Sequence, residues 1–125
     1  MTRTFGGTAL VLMAAAVLTA CTTSTVADGP PPSAPPGGAV ITAQNIAFDR
    51  TQLDVPAGRP FQLLFENRES ALHNVTIYDE GADPTFVGEI FGAGSRTYEV
   101  PAIPSGRHRF RCDVHPEMLG TVTAR

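Results

Sequence analysis

The sequence contains no lysine, and its nine basic residues, all arginines, form neither a basic run nor a basic helix. Its 125 residues carry a formal net charge of −3. Proteins that bind nucleic acids usually present a basic patch or a basic stripe. We therefore predict no nucleic-acid partner, and one domain is the starting expectation for a chain of this length.

The usual sequence signatures of catalysis are also missing. Asp and Glu are scattered singly, with no pair spaced for acid–base work, and the chain has neither a glycine-rich phosphate loop nor a nucleophile elbow. These reactions need such groups to be brought together in recognisable patterns. We therefore predict that the protein is not an enzyme.

Cysteine is scarce, with only Cys21 and Cys112, and the two lie in segments so different that we expect no disulfide. Cys21 follows an apolar run, residues 9–18, that is too short to span a membrane but typical of a secretion signal. The run ends in Leu-Thr-Ala-Cys, which resembles the bacterial lipobox, where the chain is cleaved before the cysteine and its sulfur is acylated. We predict a lipoprotein signal peptide at residues 1–20 and lipid attachment at Cys21; the alternatives are a secreted soluble protein and a buried helix.

The segment after the lipobox indicates a tether. Residues 21–38 begin with the acylated cysteine and continue with Pro, Ser, Thr and Gly and almost nothing to bury. Such a composition is typical of an extended linker. We expect a protein that is anchored through lipid to the outer face of the cytoplasmic membrane, outside the cytoplasm, with its folded domain at residues 39–125.

Residues 39–125 indicate an all-β fold. Apolar residues come in short alternating runs that Gly and Pro interrupt at close intervals, and no segment predicts a helix. This pattern is typical of a β-sandwich or a β-barrel. The predicted strands are residues 40–43 with 46–48, 52–55, 61–67, 72–79, 86–91, 96–100, 107–112 and 119–124.

The predicted strand at residues 107–112 has two unlike faces, because successive side chains of a strand point to opposite sides. One face is solvated and is either a plain charged surface or a docking surface for an acidic partner; it carries Arg107, Arg109 and Arg111. The other face turns His108, Phe110 and Cys112 toward the core. His108 lies about 13 Å along the strand from Cys112, so we interpret it as structural.

Soft metal ligands are concentrated in residues 112–118, where Cys112, His115 and Met118 follow one another at intervals of three. His73 begins the inner face of the strand predicted at residues 72–79. If this strand and the strand at 107–112 are antiparallel neighbours, His73 meets Cys112 at one end of the sandwich. Two imidazoles, a thiolate and a weak thioether form the ligand set of a blue-copper electron-transfer site.

Each of these four residues also has an ordinary structural interpretation. A single cysteine in a β core is often a small buried hydrophobe, and a histidine in such a core often serves only packing and hydrogen bonding. His115 with Pro116 is compatible with a simple turn. Met118 is the most replaceable member, because it also suits the core as a plain apolar side chain.

These motifs resemble the cupredoxin family of type 1 blue copper proteins, in its plastocyanin/amicyanin form. The family places its first ligand in a His-Asn pair, as in His73-Asn74, and reaches its cysteine through a Gly-x-aromatic-x-aromatic-x-Cys strand. Residues 106–112 match that strand with His108 in place of the first aromatic. The spacing Cys-x-x-His-x-x-Met is the amicyanin-like version.

The resemblance implies an all-β Greek-key β-sandwich of about seven to eight strands. It implies one type 1 copper ion, held by four ligands: His73, Cys112, His115 and Met118. It also implies that Asn74 hydrogen-bonds to the ligand loop near Cys112 and that His115 is the partly exposed ligand through which electrons pass. The expected function is electron transfer between a protein donor and a protein acceptor, with copper cycling between Cu(II) and Cu(I). We expect a monomer.

The alternative is a non-redox copper-binding protein for storage, delivery or buffering of the metal. A Met-rich or His-rich tail would favour that function, and the sequence has none. A multicopper enzyme needs additional histidine clusters, whereas this chain has only three histidines. A zinc hydrolase is disfavoured because a thioether is a poor zinc ligand and no carboxylate is placed for an open site.

Overall fold

A computed structural model describes residues 33–125, which form nine β-strands and no helix. The all-β prediction is therefore confirmed. The strands are β1 (Ala39–Gln44), β2 (Ala47–Phe48), β3 (Gln52–Val55), β4 (Phe61–Asn67), β5 (Thr76–Tyr78), β6 (Pro84–Val87), β7 (Gly94–Val100), β8 (Gly106–Arg111) and β9 (Leu119–Ala124).

The strands form two mixed sheets, in the orders β2-β1-β4-β7 and β3-β9-β8-β5-β6. The pairs β1–β4 and β3–β9 are parallel, and the other neighbours are antiparallel. β8 lies in the five-stranded sheet between β9 and β5, and Cys112 follows its last residue. This places the loop that follows β8 next to the chain segment that enters β5.

The core follows from the alternation in the sequence. In β4, Phe61, Leu63 and Phe65 are buried, and the residues between them are exposed or half-buried. In β8, His108 and Phe110 face inward while the arginines face outward, as the alternation predicts. Burying each large apolar side chain contributes about 1.5–3 kcal/mol, so these few positions largely decide which face of each sheet turns inward.

Aromatic rings join the two sheets near the site. Phe65 of one sheet packs against Phe91 and Phe48, with ring centroids 5.4 and 6.4 Å apart, and Phe48 packs against Phe110 of the other sheet at 5.4 Å. Tilted and edge-on aromatic pairs at these distances add to the stabilisation from burial. The base of the candidate site is therefore a packed aromatic layer.

The largest differences from the predicted strand bounds are at β5 and β6; β1, β2, β7 and β8 differ by one or two residues at their ends. The strand predicted at residues 72–79 is regular only over β5 (Thr76–Tyr78), because His73 makes an isolated bridge to Phe91 instead of continuing the ladder. The strand predicted at 86–91 occurs earlier, as β6 (Pro84–Val87), and its pairing with β5 shifts register between Ile77 and Tyr78. The first predicted strand, residues 40–43 with 46–48, is two separate strands, β1 and β2, so the structure has nine strands against the predicted seven to eight.

The predicted signal peptide, Cys21 and most of the predicted tether lie outside the described residues, so the domain division stays a prediction. Within residues 33–125, no helix has the length and hydropathy needed to cross a bilayer. The first described strand begins at Ala39 and pairs in parallel with β4.

Candidate metal centre

The structure brings His73, Cys112 and His115 together. Their possible ligand atoms all lie within 4.8 Å of one another. Cys112 Sγ is 3.7 Å from His73 Nδ1 and 3.9 Å from His115 Nδ1. His73 and Cys112 are fully buried, and His115 is half-buried at the edge of the cluster.

The pairing of β5 with β8 brings His73 and Cys112 together. β5 and β8 are antiparallel neighbours, with Thr76 opposite Arg111, so the entry to β5 lies beside the exit from β8. This is the arrangement that the sequence analysis required. His73 is fixed just ahead of β5 by paired backbone hydrogen bonds with Phe91, of 3.0 and 3.1 Å.

The loop after β8 closes on itself. The Cys112 N–H donates to the Met118 carbonyl at 2.9 Å, and the Met118 N–H donates to the His115 carbonyl at 2.9 Å. The side chain of Met118 is 3% exposed and belongs to the same buried cluster as Cys112. The loop therefore turns the Met118 side chain into the core, and its role as a ligand stays a prediction.

Glu69 contacts the ring nitrogen of His73 that faces away from Cys112, a role that the sequence did not indicate. His73 Nε2 lies 2.7 Å from Glu69 Oε1, which also accepts the Ile46 N–H at 2.9 Å. The hydrogen bond from the Ile46 N–H lowers the pKa of Glu69. Burial raises this pKa, but the interaction with His73 lowers it further, so the pKa lies below its ordinary value. Since an ionised carboxylate only accepts hydrogen bonds, His73 Nε2 is the donor in this contact, and Nδ1 is the ring nitrogen that faces Cys112.

Asn67 holds the segment that carries Glu69. Its Nδ2 donates to the carbonyls of Ala71 and Phe91, at 2.8 and 2.9 Å, and its Oδ1 accepts the Glu69 N–H at 3.1 Å. Asn67, the last residue of β4, thus connects the backbone at Glu69, Ala71 and Phe91. A buried, fully satisfied amide of this kind rigidifies its surroundings.

Asn74 reaches across to the ligand loop. Its Oδ1 accepts the Asp113 N–H at 2.8 Å, and its Nδ2 donates to Asp113 Oδ2 at 2.8 Å. The side chain is fully buried. It therefore connects the residue after His73 to the residue after Cys112, where the resemblance places it.

Asp113 was not singled out from the sequence, yet it receives further hydrogen bonds. Thr76 Oγ1 donates to Oδ2 and Tyr78 Oη donates to Oδ1, each at 2.5 Å. Burial alone raises the pKa of Asp113, but these hydrogen bonds, that of Asn74 and the charge of Arg111 outweigh it and lower the pKa below its ordinary value. The carboxylate is thus held ionised beside the cysteine. The pKa of Tyr78 is raised by burial and by this same carboxylate.

The remaining charged residues of β8 lie where the alternation places them. Arg107 and Arg109 are exposed, whereas Arg111 packs over the Tyr78 ring, with its Cζ 4.7 Å from the ring centroid. His108 is buried away from the cluster, and its Nε2 lies 2.8 Å from the Pro104 carbonyl. Its assignment as a structural histidine agrees with this contact.

The donor chemistry fits copper. A thiolate and a nearby thioether are soft ligands that favour Cu(I), and imidazole accepts both Cu(I) and Cu(II). The two buried donors, His73 and Cys112, belong to segments that backbone hydrogen bonds to Phe91 and Met118 hold in place. Within residues 33–125, these residues with His115 form the one group of three or more His, Cys, Asp or Glu side chains close enough to share an ion.

Comparison with known proteins gives the family. The model of the cupredoxin-like domain matches residues 10–124. Auracyanin from the photosynthetic bacterium Roseiflexus castenholzii superposes with a TM-score of 0.63 at 22% identity, covering 74% of this chain and 99% of its own. Amicyanin from Paracoccus versutus superposes with a TM-score of 0.57 at 23% identity, covering 73% of this chain and 84% of its own. Among curated proteins, no match was found.

The chain belongs to the cupredoxin-like domain family, because the family model covers most of its length. The structural neighbours agree with this fold. The predicted family and the predicted cofactor, copper, are therefore confirmed.

Proposed function

We propose that this protein is a single-copper electron-transfer protein with a type 1 site, in which copper cycles between Cu(II) and Cu(I) to pass electrons between protein partners. The ligands are His73, Cys112, His115 and Met118. The observation that carries the proposal is the cluster of one cysteine sulfur and two imidazoles, two of the three residues fully buried, whose possible ligand atoms lie within 4.8 Å of one another.

Copper supplies a one-electron redox couple when it is bound. The protein's own residues keep that site from rearranging: Glu69 fixes the His73 ring, Asn74 fixes the start of the loop, and the backbone bond from Cys112 to Met118 closes it. A site that is held in one geometry has little to reorganise when its charge changes. Such rigidity favours fast electron transfer over metal delivery.

His115 is the proposed point of electron entry and exit. It is the half-buried member of a cluster whose other two members are fully buried. Its chain neighbour Val114 and the residue before His73, Leu72, are exposed apolar side chains. An apolar surface beside an accessible ligand suits a short-lived contact with a redox partner.

We further propose that the protein is anchored outside the cytoplasm through lipid on Cys21, with residues 22–38 as the tether. The support is the lipobox-like sequence after an apolar run and the Pro-rich composition that follows it. Metabolic labelling with a radioactive fatty acid tests this directly. Label should appear in the wild-type protein and be absent from Cys21→Ala; label in both variants would contradict the assignment.

The test of the copper site is spectroscopic and electrochemical. The copper-loaded protein should be intensely blue from thiolate-to-copper charge transfer, show the narrow hyperfine splitting of a type 1 centre by EPR, and give a reversible one-electron voltammogram. Cys112→Ser should abolish the colour, and Met118→Leu should keep the colour while raising the reduction potential. A colourless complex with ordinary type 2 splitting would contradict the proposal.

A further inference from the structure

Opposite charges flank Cys112 in the chain. Arg111 precedes it and Asp113 follows it, and Arg111 Nε lies 3.5 Å from Asp113 Oδ1. Arg111 Nε also donates to Tyr78 Oη at 3.2 Å, and that hydroxyl donates to Asp113. The arginine, the tyrosine and the carboxylate thus form one connected group immediately beside the thiolate.

The carboxylate is the more enclosed partner of this pair. The side chain of Asp113 is 28% exposed and that of Arg111 is 43% exposed. Three side-chain donors, on Asn74, Thr76 and Tyr78, converge on Asp113. Charge–charge interactions are less screened in the more enclosed position, so the negative charge acts on the neighbouring sulfur more strongly than the positive charge does.

We propose that Asp113 and Arg111 act as an opposed charge pair that sets the reduction potential of the copper site, with Asp113 also positioning the ligand loop. This inference rests on the proposed electron-transfer function. It adds residues outside the metal-ligand set to the groups that determine how readily the site accepts an electron.

The sign of each effect follows from electrostatics. The oxidised site is more positive than the reduced site by one charge, so a nearby negative charge favours oxidation and a nearby positive charge favours reduction. Asp113 therefore lowers the reduction potential, and Arg111 raises it. Because Asp113 is the more enclosed, removing its charge should have the larger effect.

The positioning role follows from the hydrogen bonds. Asp113, the first residue after Cys112, accepts hydrogen bonds from Thr76 and Tyr78 of β5, the strand that follows His73. The ligand loop and the His73 segment are thereby connected through one carboxylate. The loss of these bonds should loosen the loop even in the metal-free protein.

The test measures reduction potentials for Asp113→Asn and Arg111→Gln in the full chain. The equilibrium constant for reduction by a common mediator should rise by about tenfold in Asp113→Asn, which corresponds to about 59 mV for one electron. The same constant should fall by a smaller factor in Arg111→Gln. The control Arg109→Gln removes the same charge from the same strand face without an ion pair, and it should change the constant less than Arg111→Gln does.

A second measurement separates position from charge. Thr76→Val keeps both charges but removes one hydrogen bond to Asp113. It should lower the urea midpoint of the metal-free protein and shift the potential less than Asp113→Asn does. A midpoint equal to that of the wild type would overturn the positioning role.

The outcomes distinguish this inference from the proposed function. If the wild-type protein is not blue, the proposed function fails. If it is blue but Asp113→Asn and Arg111→Gln shift the potential in the same direction, the charge-pair inference alone fails. Should Asp113→Asn not fold, Arg111→Gln still decides, because a raised potential in that variant contradicts the predicted sign.

Discussion

His73 has partners on both of its ring nitrogens, and this explains why it can serve as a fixed ligand. Nδ1 faces Cys112 and Nε2 donates to Glu69. A carboxylate behind a metal-binding imidazole fixes both its tautomer and its orientation. At the scale of single residues, the site therefore depends on side chains that do not themselves bind the metal.

Glu69→Gln tests this dependence. The amide retains the shape of Glu69 but loses the charge that holds the His73 ring, so affinity for copper should fall by about tenfold or more. A competition titration with a chelator of known affinity measures the change. The matched control is Glu66→Gln, whose carboxylate pairs with Arg68 at the surface; an equal loss of affinity in both variants would contradict the assigned role of Glu69.

The sequence pointed to the candidate ligands but not to the carboxylates that support them. Cysteine, histidine and methionine are rare in this chain, and their spacing around residues 112–118 was informative by itself. Glu69 and Asp113 are ordinary acidic residues beside loops, where solvent exposure is the common outcome. The contact of Asp113 with Thr76 depends on the packing of distant segments. Glu69 lies only four residues before His73, but the spacing alone does not show that the intervening loop turns the carboxylate onto the buried ring.

Among the elements, β8 combines two roles because its faces differ so sharply. Its inner face contributes Phe110 to the core and directs Cys112 to the site, while its outer face carries the arginine row, Arg107, Arg109 and Arg111. Most other arginines of residues 33–125 pair with a carboxylate, whereas Arg107 and Arg109 form no ion pair in that region. Within residues 33–125, Arg107 and Arg109 therefore place two positive charges without ion pairs on the same face of β8.

We predict that this row attracts anionic redox partners. In the double variant Arg107→Gln/Arg109→Gln, oxidation of the reduced protein by hexacyanoferrate(III) should slow by about threefold at low ionic strength, because steering by local charge is lost. Stopped-flow absorbance measures the rate. The control Arg50→Gln/Arg59→Gln changes the net charge equally, so equal slowing in both would show that net charge, and not the row, matters.

Gly120 lets β9 pass closely over Phe110. A Cβ at this position would lie 2.4 Å from Phe110 Cζ and 2.6 Å from the Thr51 carbonyl oxygen. Gly120→Ala should therefore lower the free energy of unfolding by about 1–3 kcal/mol. Urea unfolding of the metal-free protein measures the loss; a change no larger than that of the outward-facing Thr123→Ala would refute this account of the packing.

The regular strands were predictable and the irregular sheet edge was not. The strands at residues 52–55, 61–67 and 119–124 were predicted with the bounds that the structure shows, because each alternates cleanly. The region around β5 and β6 does not alternate cleanly, because all three residues of β5 are buried and its register shifts against β6. Burial on both faces removes the period of two on which such predictions depend.

At the largest scale that the structure describes, residues 33–125, the candidate site lies at the end of β4 and β1 begins away from that end. β1 runs parallel to β4, with Ala39 beside Leu63 and Ala43 beside Asn67. The side chain of Asn67 binds the Phe91 carbonyl next to His73, so β4 ends at the site. Ala39 lies about 13 Å of strand away from that end.

The central claim is that Cys112, His73 and His115 hold one copper ion in a single rigid site. The most direct measurement is a titration of the metal-free protein with copper(II), followed through the visible thiolate-to-copper absorption. We predict that the band grows linearly and stops at one equivalent of copper per chain, and that Cys112→Ser produces no band. Saturation at any other stoichiometry, or a blue band that persists in Cys112→Ser, would contradict the account.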